Sequence, residues 1–330
     1  MSDGETGKTG LADKLSEQDR KHLASYERKM ALFRDRLRFV ARRSLTGLFA
    51  WGNGGVGKTF QTQEVLREEG VSCPVSNSHM TGKGLFIRLK ENPSSVHIIE
   101  DCETLFRHKD AVGVLRSALW GSRADGDSGV MERRVCWTTS GWGDGTPPRH
   151  DSFIFSGGIV LLANSALPQT PECAAMAGRI RVMHLDLTED EVIAKMRETA
   201  SRGFEYGGLV ATPDEAEAVC EHVVDLSLSM GRRLDLRALH HGLVEFAEWK
   251  AGGTESDWRD LVRSGVAELT TWCRHPVRAR KTLPRHEMVR IVSEIVARTP
   301  AARERLTLWE ELTGLGRASF YRQLRSIEAN

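Results

Sequence analysis

The sequence predicts an α/β protein: a parallel sheet flanked by helices, followed by an all-helical region and a small helical tail. Three observations predict it. Short apolar runs alternate with helical stretches between residues 47 and 187, the pattern of strand–helix–strand units. A glycine-rich loop at 52–57 stands between an apolar strand and a helix. After Thr188 the apolar runs give way to helical periodicity.

The elements come in order. Leu23, Tyr26, Met30, Phe33, Leu37 and Val40 recur at spacings of 3 and 4, one apolar stripe on a helix that packs onto the next domain. Leu48-Phe49-Ala50-Trp51 is a strand ending in the glycine loop, and 58–69 a helix. Residues 73–75 make a short strand, and 82–91 a helix stopped by Pro93. Val96–Ile99 is a buried strand. In the helix 109–120, Val112, Leu115 and Leu119 face inward. Strands at 135–139 and 153–155 pair around a Gly/Pro-rich loop at 140–150. Ile159–Ala163 is another buried strand, 171–178 a helix, and 180–187 strand-like. Strands are then expected to stop, with helices at 189–201, 213–229, 235–250, 255–273 and 284–298. Four segments result: an N-terminal helical segment 1–45, a core 46–187, a helical lid 188–275, and a basic linker with helical tail 276–330.

Composition narrows the function classes. Of 330 residues, 40% are hydrophobic and 28% charged, enough for a sizeable core without bias. No apolar run is long enough for a membrane span, so no membrane partner is expected. The polar start lacks a signal core, and the six cysteines include no Cys-x-x-Cys pair, which suits a reducing cytoplasm rather than a secreted or zinc-bound scaffold. The formal net charge of +1 hides an asymmetry: 1–45 carries +4, 274–330 carries +6 and the middle −9. Basic ends would meet any polyanion, although at the N-terminal end solvated helix faces are the better explanation of such charge.

The strongest local signal is Gly52-Asn53-Gly54-Gly55-Val56-Gly57-Lys58-Thr59, which fits the phosphate-binding pattern G-x-x-x-x-G-K-[ST] at every fixed position. Glycines let successive N–H groups turn toward phosphate oxygens, and the helix after the loop adds its positive end. Lys58 would reach the β- and γ-phosphates, and Thr59 would ligate Mg²⁺. The strand Val96–Ile99 then ends in Glu100-Asp101, placing one acid near the metal and one near an attacking water.

These motifs resemble the AAA+ ATPases over about residues 46–250. The resemblance implies a P-loop NTPase sheet with an all-helical lid, and ATP and Mg²⁺ as cofactors. Glu100 matches the metal-side acid and Asp101 the water-activating acid, each with the side-chain length opposite to the family's habit. His97 interrupts a run that is usually apolar. Asn164, closing the strand 159–163, matches the residue that senses the γ-phosphate. Arg179, with Arg181 as second choice, matches the finger that reaches a neighbouring subunit's nucleotide, where such a group contributes about 10³–10⁵ in rate. Arg237 matches the lid's sensor arginine, with Arg232 and Arg233 as competitors. An oligomer or ring is therefore implied.

Residues 304–327 resemble the helix-turn-helix of bacterial recombinases and repressors. Trp309 and Leu312 face inward, 313–316 turns, and the second helix offers Arg317, Ser319, Tyr321, Arg322 and Arg325 to DNA. A plain helical hairpin with a basic face is the alternative. The segment 131–157, with Arg133, Arg134, Trp137, Trp142, Arg149 and His150, suits either single-stranded nucleic acid or a subunit contact. The function expected is ATP binding and hydrolysis by a protein acting on DNA, in replication, loading or mobile-element maintenance, with protein partners unnamed. The alternatives are a slow nucleotide switch of the NB-ARC/STAND kind and a small-molecule kinase.

Overall fold

Five parallel strands form the sheet of the computed structural model, in the order β2-β3-β6-β1-β7. They are β1 (Gly47–Gly52), β2 (Val75–Ser76), β3 (Val96–Ile99), β6 (Gly158–Ala163) and β7 (Arg181–Leu185). The structure describes residues 15–76, 80–120, 132–139, 149–274, 285–299, 302–313, 320–321 and 323–324. Contacts divide the chain into two compact units, 1–262 and 263–330.

The central strands are buried on both faces, which is why they read as continuous apolar runs rather than alternating ones. One face is covered by α1 (Glu17–Ala41), with α2 (Lys58–Glu68) and α6 (Glu189–Ala200) packed against it. The helix α1 carries the predicted stripe: Met30, Phe33, Leu37 and Val40 are at most 1% exposed. Burying each contributes about 1.5–3 kcal/mol before entropy is counted. Against the other face lie α3 (Gly82–Glu91), α4 (Lys109–Leu119) and α5 (Pro171–Ala177), whose apolar residues join Phe49, Ile99 and Leu161 in one core.

Two features, a 3-10 turn and a second short hairpin, depart from the sequence reading. A 3-10 turn, Cys102–Arg107, comes after β3 and seats Phe106 edge-on to Phe49 at 5.8 Å. The expected hairpin is present: β4 (Arg133–Thr139) pairs antiparallel with β5 (Arg149–Phe155) as a two-stranded sheet of its own, with longer strands than the sequence suggests. Strands also do not stop at 188: β8 (Phe204–Tyr206) and β9 (Leu209–Ala211) pair around Gly207-Gly208, both at positive φ. The helical region therefore carries a short hairpin before α7 (Pro213–Ser229) and α8 (Leu236–Lys250). Thr188 and Thr212 open α6 and α7 with capping boxes closed by Glu191 and Glu215.

The helix α9 (Trp258–Arg274) crosses the boundary between the units. The second unit contains α10 (Arg285–Arg298) and α11 (Ala302–Thr313), with Val292, Ile295, Trp309 and Phe320 at its centre. Trp309 faces inward as expected and is fully buried.

Candidate functional site

Parallel register brings three strand ends to one edge of the sheet. Trp51 pairs with Ala163, and Ile99 with Leu161, so Gly52, Glu100, Asp101 and Asn164 lie side by side just beyond. A cleft of about 610 Å³ opens there. Its walls include the loop residues Gly54, Gly55, Gly57, Lys58 and Thr59, the acids Glu100 and Asp101, Asn164, and Arg237 from α8. Residues from four separate segments thus meet on one cavity.

The loop geometry is that of an anion cradle. Gly55 and Gly57 stand at φ +69° and +90°, which L side chains rarely adopt. Gly57 is the N-cap of α2, so the first N–H groups of an eleven-residue helix face the cleft. Lys58 is 8% exposed. Its ammonium donates to the carbonyls of Gly52 and Asn53, each at 2.7 Å, and lies 3.4 Å from Asn164 Oδ1. Burial, and after it the Arg237 guanidinium, pushes the Lys58 amine down to about 8, while Glu103 and Asp101 pull the other way. A polyphosphate between Lys58 and Arg237 would relieve that repulsion.

Asp101 lies in the left-handed region, φ 45°, ψ 44°, where a residue with a Cβ costs about 1 kcal/mol or more. The bend aims its carboxylate at Asn164, whose Nδ2 donates to Asp101 Oδ1 at 3.2 Å. The backbone N–H of Asn164 donates to Glu103 Oε1. Glu100 continues β3, its N–H donating to Ser76 O at 2.9 Å. Its Oε1 is buried and has no hydrogen-bond donor among the described residues. A carboxylate oxygen without a donor, on a residue that borders the same cleft as Thr59, suits a magnesium ion in its chemistry. Cys102, next to the acids, is fully buried with its thiol pushed up by desolvation, an inert packing residue.

The start of α8 docks directly on the loop. Asp235 caps α8, accepting from Ala238 N at 2.8 Å, and Leu236 N donates to Gly55 O at 2.9 Å. Of the three arginines considered for the lid, Arg237 borders the cleft and Arg233 donates instead to the Asn53 side chain. Arg232 does not line the cleft; its backbone N–H donates to Ser227 O at 2.8 Å.

Other residues of the site carry no sequence signal. Tyr26, buried on α1, donates its hydroxyl to Val56 O at 3.1 Å, and burial pushes the phenol up. Phe60, Gln63, Thr199, His240 and His241 also line the cleft. Adjacent histidines on a helix suggest different faces, yet both border this cavity; His240 also meets Phe204 and Tyr206 edge-on.

Arg179 is not in the cleft. Its carbonyl accepts from Thr46 Oγ1 at 3.5 Å, and Arg181 pairs with Leu48, at the opposite end of β1 from the loop. About 3.3 Å per residue from Thr46 to Gly52 puts the two some 20 Å apart along the strand, beyond one arginine side chain. Arg179 therefore does not reach the cleft of its own chain.

Of the tail residues, Arg317, Ser319, Arg322 and Arg325 lie outside the described residues. Tyr321 is helical and half-buried, its ring packed edge-on against Phe320 at 5.4 Å. In the hairpin, Trp142 also lies outside the described residues, and Arg133 is 2% exposed, so it is not available to nucleic acid. Trp137 packs against Phe86. Among the described residues no cluster of ligands suits a metal by protein side chains alone, and no helix is long and apolar enough to cross a membrane.

No protein-family model and no curated protein matches the chain. Similar solved structures include the RuvB Holliday junction branch migration motor of Thermotoga maritima, at 15% identity over 88% of this chain and 82% of that one, with a TM-score of 0.31. One point mutant of that RuvB gives 14% identity, the same coverage and a TM-score of 0.35. Another gives 16% identity over 71% of each chain and a TM-score of 0.34. Superpositions this loose leave the assignment to the geometry of the site itself.

Proposed function

We propose that the chain binds ATP with Mg²⁺ in the cleft and hydrolyses it, as an ATPase of the AAA+ kind. One observation carries the reading: Lys58, Glu100, Asp101, Asn164 and Arg237, far apart in sequence, converge on a single cavity beside the glycine loop. Each has a task there. The loop N–H groups and Lys58 hold phosphates. Thr59 and Glu100 would hold the magnesium ion, whose charge neutralises phosphate oxygens. Asp101, exposed and steadied by Asn164, accepts a proton from the attacking water. Asn164 and Arg237 bind the terminal phosphoryl group as charge develops on it.

In this reading Arg179 completes the site of a neighbouring copy, which makes the active form an oligomer. The lid 188–275 couples nucleotide state to the neighbour, and the basic tail 276–330 binds DNA through Arg317, Ser319, Tyr321, Arg322 and Arg325. The substrate class acted on is DNA, consistent with the basic ends of the chain.

The test is ATP hydrolysis across a protein concentration series, with and without single- and double-stranded DNA. Stimulation by DNA and a specific rate that rises with concentration are expected. A slow rate indifferent to both would contradict the motor reading and favour a nucleotide switch.

A further inference from the structure

Asn164 is held from two sides at the edge of the cleft. Its Nδ2 donates to Asp101 Oδ1 at 3.2 Å, and its Oδ1 lies 3.4 Å from Lys58 Nζ. Its backbone N–H donates to Glu103 Oε1. The ladders end earlier, with Trp51 opposite Ala163 and Ile99 opposite Leu161. Asn164 therefore lies beyond the last paired residues, and the carboxylate of Glu103 takes the place of a strand neighbour as acceptor for its N–H.

Glu103 reaches that position because the chain turns sharply after β3. Asp101 stands in the left-handed region, and the 3-10 turn Cys102–Arg107 follows directly. Cys102 and Leu105 are fully buried, and Phe106 lies edge-on to Phe49. With three residues per turn, that packing fixes one side of the turn and leaves Glu103 on another, half-buried. Glu103 is not among the residues that line the cleft. An acid on a packed turn, bonded to the main chain of a cleft residue but outside the cleft itself, is placed to orient rather than to react.

We propose that Glu103 is a positioning residue for hydrolysis: it fixes the main chain of Asn164, and through the Asn164 amide it aims Asp101 at the attacking water. The inference rests on the ATPase reading of the cleft. Freeing the N–H lets Asn164 turn out of reach of Asp101 and of the terminal phosphoryl group, so the cost falls on the transition state. Lys58 has the carbonyls of Gly52 and Asn53 as further partners, so the loop's hold on phosphate does not pass through Glu103. Glutamine at this position has the same reach and keeps an oxygen that accepts an N–H, but it cannot take a proton from water. Alanine does neither. The two substitutions thus separate orientation from proton transfer.

The experiment compares the wild type, Glu103→Ala and Glu103→Gln as full chains. Amide hydrogen exchange at Asn164, read by NMR on chains with isotope-labelled asparagine and without nucleotide, should be about tenfold faster in Glu103→Ala and near the wild type in Glu103→Gln. In steady-state ATP hydrolysis, Glu103→Ala should lose about tenfold or more in kcat with KM and the thermal melt nearly unchanged, and Glu103→Gln should recover most of kcat. Exchange unaltered in Glu103→Ala, or a loss that falls on KM or on thermal stability instead of kcat, would overturn the positioning role. Glu103→Gln as inactive as Glu103→Ala would overturn it in favour of proton transfer by Glu103. Absence of hydrolysis by the wild type would overturn the ATPase reading and, with it, the role of Glu103; the other failures leave that reading standing.

Discussion

The backbone N–H of Leu236 donates to the carbonyl of Gly55 over 2.9 Å, so the first turn of α8 is bonded to the phosphate loop itself. A shift of α8 therefore moves either that bond or the loop. This ties the state of the cleft to the helical region through a backbone contact that no side-chain motif records.

Gly55 is where this junction is most sensitive. It holds φ +69°, and a Cβ there would come within 2.5 Å of Asp235 Cβ. Gly55→Ala must both strain the loop and push α8 away. Nucleotide affinity should fall at least tenfold, and stability by about 1–3 kcal/mol. Binding calorimetry and a denaturant melt check the two; wild-type affinity would show that the junction does not matter for binding.

Lys58 gives a pH signature. Its amine titrates at about 8 in the free protein, lowered by burial and by Arg237. A bound polyphosphate favours the ammonium and raises that value. The free site loses its proton first as pH rises, so affinity should decline above pH 8 and binding should take up a proton there. Calorimetry at pH 8.5 in buffers of different ionisation enthalpy reads the uptake directly. Affinity that is flat from pH 7 to 9, without uptake, would contradict the placement of the amine against the phosphates.

Tyr26 braces the loop from behind. Tyr26→Phe keeps the buried ring and leaves Val56 O without its donor. A loss of about 0.5–1.5 kcal/mol is expected. Because Val56 lies within the loop, the change should appear as a raised KM for nucleotide with kcat largely kept. A fall in thermal stability with unchanged KM would make Tyr26 a packing residue alone.

Arg179 tests assembly. Lying beside Thr46, it is on the wrong end of β1 for its own cleft. Arg179→Ala and Lys58→Ala chains should each be inactive, and mixing them should restore part of the hydrolysis, since one supplies the finger and the other an intact loop. No recovery on mixing, with oligomers formed, would remove Arg179 from the reaction.

What is legible in the sequence is local. The glycine loop, Lys58 and Thr59 answer to a constraint set within eight residues, and Val96–Ile99 to burial on both faces, so periodicity and spacing suffice. The bond from Asn164 to Asp101 and the one from Tyr26 to Val56 join residues 63 and 30 positions apart. Such partners are set by strand register and helix packing, which a single sequence does not display. The hairpin β8–β9 does leave a trace: Gly207-Gly208 between Tyr206 and Leu209 is a two-residue turn signal, outweighed by the helical texture around it. Arg133 reads as a surface cation because side-chain type alone cannot tell a buried guanidinium over Phe155 from a solvated one.

The central claim is that the cleft at Lys58, Glu100, Asp101, Asn164 and Arg237 binds and cleaves ATP. The measurement that tests it most directly sets ATP binding beside hydrolysis for the wild-type chain, Lys58→Ala and Asp101→Asn. The account predicts binding and turnover in the wild type, loss of both in Lys58→Ala, and binding without turnover in Asp101→Asn. Tight ATP binding by Lys58→Ala, or full turnover by Asp101→Asn, would contradict it.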